Sequence, residues 1–120
     1  MPNIIEVTGT ELLKEKLLNL GYKVEKSDNK TFDLKVNGRY AEVKTKNKPF
    51  NKLDFISLTN KQYGNIQEDF KIFLVCNVED VSNIEFYELS SRDLLSIIPK
   101  KIVSYEYNKG ELYKINKSSL

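Results

Sequence analysis

The chain has 120 residues with no histidine and a single cysteine, and its 19 Lys and Arg against 17 Asp and Glu give a formal net charge of +2. That length predicts one domain spanning 1–120. The missing histidines exclude Ser-His-Asp hydrolases, HEXXH proteases and histidine-dependent nucleases, and the lone Cys76 excludes a disulfide framework and thiolate zinc or iron–sulfur sites. Leu, Ile, Val and Phe number 38, enough for a folded core. The longest unbroken apolar run, Ile72 to Cys76, is far too short to cross a bilayer, and no basic-then-apolar leader opens the chain. A soluble, cytoplasmic protein with no membrane partner is expected.

In chain order, Thr8 and Glu11 have the spacing of a capping box, and Leu13, Leu17 and Leu20 follow at helical spacing up to Gly21, which suits a left-handed helix end. A short strand is expected around Tyr22 to Glu25, then a polar turn through Ser27, Asp28 and Asn29. Two strands follow, Thr31 to Val36 and Arg39 to Lys46, joined by Asn37-Gly38, the dipeptide that best satisfies a type I′ hairpin turn. Phe55 to Leu58 reads as a short strand or extended segment. Thr59 and Gln62 form a second capping box opening a short helix to about Glu68. Phe70 to Val78, the most apolar segment, predicts a fully buried central strand. Ile84 to Leu89 predicts another strand, Ser90 with Asp93 caps a short helix ended by Pro99, and the alternation of Val103, Tyr105 and Tyr107, then Leu112, around Asn108-Lys109-Gly110 predicts a closing hairpin. This order argues an α/β (α+β) sheet flanked by helices.

Charge is unevenly spread. Residues 35 to 61 hold seven cations against two anions, a local +5 that leaves −3 elsewhere, which favours a polyanionic partner, although a solvated lysine face produces the same count. Within that window a two-residue turn at Asn37-Gly38 sets Val36 opposite Arg39, Lys35 opposite Tyr40, Leu34 opposite Ala41 and Asp33 opposite Glu42. Phe32, Leu34, Ala41 and Val43 would then face a core, with Asp33, Lys35, Tyr40, Glu42, Lys44 and Lys46 on the outer face. Facing carboxylates destabilise a sheet unless neutralised. A hard divalent cation is the natural neutraliser, and Mg²⁺ held by carboxylate oxygens with Lys44 beside the attacking water is a site for phosphoryl chemistry that needs no histidine. The same residues also suit the solvated side of an amphipathic hairpin.

Asp33 followed by Glu42-Val43-Lys44, after a Glu-bearing helix ending in Gly-Tyr, resembles the PD-(D/E)XK nuclease superfamily over about residues 9–78. The resemblance implies a restriction-endonuclease-like αβββαβ core with a central mixed sheet flanked by helices, and a C-terminal β-hairpin extension over about 79–120. It also implies hydrolysis of DNA phosphodiester bonds by a Mg²⁺- or Mn²⁺-dependent endodeoxyribonuclease. Asp33 and Glu42 would bind the metal, Val43 would add its carbonyl, and Lys44 would serve the water. Members often carry a helix-one carboxylate, for which Glu11 is the first candidate and Glu15 the second, and a polar residue at the start of the helix after the Glu-x-Lys strand, where Gln62 stands. Glu11 and Gln62 each have a competing role in a capping box. Phe32 replaces the proline of the named pattern.

Lys46, Lys48, Lys52 and Lys61 are candidates to contact a phosphate backbone, or are solvated loop cations. Tyr63 is a candidate to stack on a base, or is packed core. Tyr105, Tyr107 and Tyr113 are core residues or part of a homodimer surface. Cys76 reads as a buried inert thiol. With no Gly-x-Gly-x-x-Gly and no P-loop, no nucleotide cofactor is expected. Two further readings remain: a noncatalytic nucleic-acid-binding or assembly module on the same fold, and a hydrolase of RNA or small phosphoesters.

Overall fold

The computed structural model of the chain describes residues 4–101 and 105–120. Helix α1 spans Ile4–Asn19 and starts four residues before the expected cap. Thr8 and Glu11 therefore lie inside the helix and do not cap it. Ile5, Gly9, Leu13 and Leu17 repeat every four residues and line the face turned to the sheet; Leu13 and Leu17 are fully buried, which stabilises by about 1.5–3 kcal/mol for each side chain. Gly9 is required by that packing, since a Cβ there would lie 2.4 Å from Cγ2 of Thr45. Leu20, one residue past the helix, is exposed, and Gly21 turns the chain at φ +88°.

Strands β1 (Val24–Lys26), β2 (Leu34–Val36) and β3 (Arg39–Thr45) follow as antiparallel neighbours. Asn37 and Gly38 both have positive φ, 50° and 81°, as the type I′ turn demands, and the register Val36–Arg39, Lys35–Tyr40, Leu34–Ala41 is the expected one. The ladder then changes. The Asp33 N–H donates to the Ala41 carbonyl (3.1 Å), so Asp33 and Leu34 together oppose one residue, the arrangement of a β-bulge. Asp33 is not in facing register with Glu42. The extra residue also shifts the alternation, and Phe32 enters the core on the opposite side of the sheet from Leu34 and Ala41.

From β3 the chain makes a 3₁₀ turn at Phe50–Lys52 and runs through β4 (Phe55–Leu58) and α2 (Asn60–Gly64) into β5 (Lys71–Cys76), which lies parallel to β3. Ile72 to Cys76 are all buried, as a strand covered on both faces requires. Strand β6 (Glu85–Ser90) pairs antiparallel with β5, and Ser90 with Asp93 forms the expected capping box on a 3₁₀ helix, Ser91–Ser96. The main sheet has the mixed order β1-β2-β3-β5-β6-β9, where β9 is Ser118–Ser119.

The C-terminal extension differs from the expected closing hairpin. Strand β8 (Tyr105–Asn108) pairs with β7 (Lys100–Lys101) and with β4 in a separate three-stranded sheet, and Asn108 caps a one-turn helix, α3 (Lys109–Leu112), by accepting the Gly110 N–H at 2.8 Å. Asn favours both turns and N-caps, and the sequence alone does not separate them. The expected position of Val103 lies outside the described residues. The fold is thus a mixed α/β sheet with α1 on one face and α2, the 3₁₀ segments at Phe50–Lys52 and Ser91–Ser96 and the second sheet on the other.

Candidate active site

Strand alternation sends Ala41, Val43 and Thr45 towards α1 and Glu42, Lys44 and Lys46 towards the opposite layer. That second face is covered rather than solvated, because α2 and β4 pack over it. Glu42 is 7% exposed and Gln62, on the first turn of α2, is 4% exposed. The Thr59 capping box orients α2: Gln62 N–H donates to Thr59 Oγ1 (3.2 Å) and Thr59 N–H to Gln62 Oε1 (3.1 Å). The other end of the same amide turns to the sheet. Gln62 Nε2 donates to Glu42 Oε2 (2.6 Å) and to the Thr31 carbonyl (3.1 Å), and Lys44 Nζ lies 3.0 Å from Glu42 Oε2 and 3.4 Å from Gln62 Oε1. The cap and the candidate site are therefore one interaction set, not alternatives.

Asp33 joins from the bulge. Its Oδ2 accepts the Val43 N–H at 2.9 Å, just past the end of β2, where strand β3 would otherwise lose a partner. Both main-chain groups of a strand residue point to the same side, so the Val43 carbonyl faces that vacated edge too. The Asp33 carboxyl neighbours Glu42 at the same cleft. Burial first, and then this neighbouring carboxyl, push the Glu42 acid up to about 7 against the opposing pull of Lys44. Asp33 itself is exposed and borders a cleft of about 420 Å³ with Lys30, Thr31, Glu42, Thr59, Asn60, Lys61 and Gln62.

The donor chemistry suits a hard cation: two carboxylates and a backbone carbonyl, with burial making an uncompensated Glu42 charge costly. Among the described residues no group of three or more Asp, Glu, His or Cys side chains gathers at one point. An ion at the pair would retain several waters, as Mg²⁺ does.

The structure brings together Asp33, Glu42, Lys44 and Gln62, with Val43 through its backbone. Glu11 is elsewhere: it is exposed on the outer face of α1, 3.3 Å from Lys14, beside a groove shared with Glu15. Its row on the helix is rotated away from the Gly9 row that meets β3. Of the candidate nucleic-acid contacts, Lys61 rims the carboxylate cleft. Lys46 sits over the Phe55 ring (5.3 Å) in a separate groove with Lys48, and burial, followed by Lys44, lowers its pKa while Glu6 partly offsets this. Lys52 is exposed on the 3₁₀ turn. Tyr63 is already stacked on Tyr105, ring centroids 3.8 Å apart and planes within 9°, so it has no open face on that side for a base. Tyr107 is fully buried, Tyr113 meets Phe50 edge-on, and Cys76 is buried with its thiol pushed up to about 12 by desolvation.

Lys30 and Thr31 join the cleft lining beyond the residues the sequence singles out. They sit in the irregular turn before β2, and their only signal in the sequence was proximity to Asp33. No helix among the described residues is long and apolar enough to cross a membrane. Comparison of the chain with family models, curated proteins and solved structures returned no match.

Proposed function

We propose that the protein is a Mg²⁺- or Mn²⁺-dependent endodeoxyribonuclease whose reacting centre is the Asp33–Glu42–Lys44–Gln62 group. The observation that carries this reading is the buried Glu42, held against the Asp33 carboxyl with an ammonium 3.0 Å away, at the wall of a cleft rimmed by Lys30 and Lys61. Asp33, Glu42 and the Val43 carbonyl would hold the ion. When bound, the ion supplies Lewis-acid polarisation of the phosphate.

The chain's own groups do the rest. Gln62 and the Val43 N–H fix the two carboxylates in place. Lys44 orients the attacking water and stabilises the charge that develops on the phosphoryl oxygens. Lys30 and Lys61 attract the flanking phosphates. The order of helix, three strands, helix and a parallel strand beside β3 supports the restriction-endonuclease-like assignment, with β4 inserted before α2 and diverted into the second sheet.

One observation favours a noncatalytic nucleic-acid-binding module instead: Glu42 Oε2 is already satisfied by Lys44 and Gln62 without a metal. Cleavage assays separate the two. Supercoiled plasmid, linear duplex, single strand, four-way junction and RNA are incubated with Mg²⁺, Mn²⁺ or EDTA, with Glu42→Ala and Lys44→Ala beside the wild type. Metal-dependent DNA cutting lost in both variants supports the nuclease. Binding that ignores EDTA with no cutting of any substrate supports the binding module, and cutting of RNA alone redirects the substrate.

A further inference from the structure

A second cleft of about 400 Å³ opens beside the carboxylate cleft, lined by Asn29, Phe32, Arg39, Tyr40, Asn65 and Asp69 among others. That volume is in the range of small-ligand sites. The two clefts share a wall, the Asn29–Asp33 segment: Asn29 and Phe32 face one, Lys30, Thr31 and Asp33 the other. Tyr40 and Glu42 lie two residues apart on the same face of β3, so the aromatic floor begins about 7 Å from the carboxylates.

We infer that this cleft is a subsite for one unpaired nucleobase of a DNA strand whose adjoining phosphate lies in the carboxylate cleft; it rests on the proposed nuclease reading. Three observations define the ligand. The floor is aromatic: half-buried Tyr40 is stacked on buried Phe32 (centroids 5.2 Å, planes within 13°) and buried Phe70 is tilted against Phe32 at 4.9 Å, so Tyr40 is the ring a base would meet. Among the described residues the lining holds one cation, Arg39, which is paired with Asp69 at 3.2 Å beside Glu68; Lys35 lies outside the lining, with its Nζ 5.4 Å from the Tyr40 ring centre. The rim does offer amides. Asn29 Oδ1 is occupied by the Thr31 N–H and Asn65 Nδ2 by the Lys61 carbonyl, which leaves, among the described residues, the Asn29 amide N–H groups as donors and Asn65 Oδ1 as acceptor. A flat neutral ring with donors and acceptors on its edge matches this surface, whereas a paired base has its edge engaged and its faces covered. Tyr40 is held in place by donating its hydroxyl to Asp28 at 2.6 Å.

The test is an amide-resolved NMR titration of the full chain in EDTA with uncharged deoxynucleosides and, separately, with a deoxydinucleotide. Nucleosides are expected to shift Gly38, Tyr40, Asn65 and Phe70 and leave Gln62 still, while the dinucleotide also shifts Thr31 and Lys61 and binds on the order of tenfold more tightly. Tyr40→Phe should retain binding, and Tyr40→Ala should weaken it by about tenfold, the lower part of the range for base–aromatic stacking. Asn65→Ala, which leaves the aromatic floor intact, provides a second reduction if Tyr40→Ala unfolds. No shift at these residues with either ligand overturns the subsite, and a dinucleotide no tighter than a nucleoside overturns the strand as its ligand. Dinucleotide binding in both clefts without metal-dependent cutting supports the subsite and removes the nuclease; cutting whose single-strand preference is unchanged in Asn65→Ala and Tyr40→Ala removes the subsite alone.

Discussion

At the scale of single residues, Glu42 links stability to chemistry. In the absence of divalent metal its carboxyl holds a proton up to about pH 7, whereas the unfolded chain releases it near 4.5. Between those values the folded state binds more protons than the unfolded state, so stability falls as pH rises through this window and levels off above it, by about 3 kcal/mol over the full shift. Glu42→Gln keeps the shape and cannot ionise, so its urea midpoints in EDTA should stay flat over the same pH range, and profiles parallel to wild type would show that Glu42 is not perturbed. A divalent ion held there as proposed would compete with that proton, and its stabilisation should therefore grow as pH approaches 7. Lys44→Ala acts on a different quantity: it should retain the fold and the metal-induced stabilisation yet reduce cleavage by about 10²–10⁴-fold, the range for a group assisting proton transfer. Equal loss of metal binding and cleavage would make Lys44 a structural counter-ion only.

At the scale of elements, α1 is seated on the face of β3 opposite the site, with Gly9 against Thr45. Gly9→Ala should destabilise by about 1–3 kcal/mol through overpacking against Thr45, and in a Thr45→Ala background the same change should be neutral or stabilising by up to about 1 kcal/mol, since alanine is the better helix former. Chemical denaturation of the four proteins closes that cycle; a penalty that persists without the Thr45 side chain would refute the contact. Elements whose signals are local were legible in the sequence: the Asn37-Gly38 turn, the Thr59 and Ser90 capping boxes and the uninterrupted apolar β5. Because the turn sets the register and alternation sets the faces, the grouping of Glu42, Lys44 and Gln62 was within reach as well. What escaped depends on partners distant in sequence. The bulge at Asp33 arises where β2 runs out and a side chain replaces a strand as acceptor for Val43. The diversion of β4 is decided by β8, some fifty residues later. The early start of α1 follows from a row of residues whose spacing is clear only once the sheet beneath it is known.

At the scale of the whole molecule, charge and cleft number set how DNA would be met under the proposed function. The net charge is only +2, and the cations of the 35–61 window are dispersed: Lys46 and Lys48 share one groove, while Lys61 is joined by Lys30 at the carboxylate cleft. Few phosphates would therefore be neutralised at once, and the logarithm of duplex affinity should fall against the logarithm of salt with a slope of magnitude about 2, near 0.9 for each phosphate contact. Lys61→Ala should lower that magnitude by about 0.9 without altering base preference, whereas Lys52→Ala, on the opposite side of β4 in sequence and outside the cleft, should leave it unchanged. One carboxylate cleft per chain among the described residues would also fix the order of products. Under the proposed function each encounter would cut one strand, so supercoiled plasmid should accumulate as open circle before linear DNA appears. Direct conversion to linear DNA, with no open-circle phase and a rate rising with the square of protein concentration, would instead show that two copies act together.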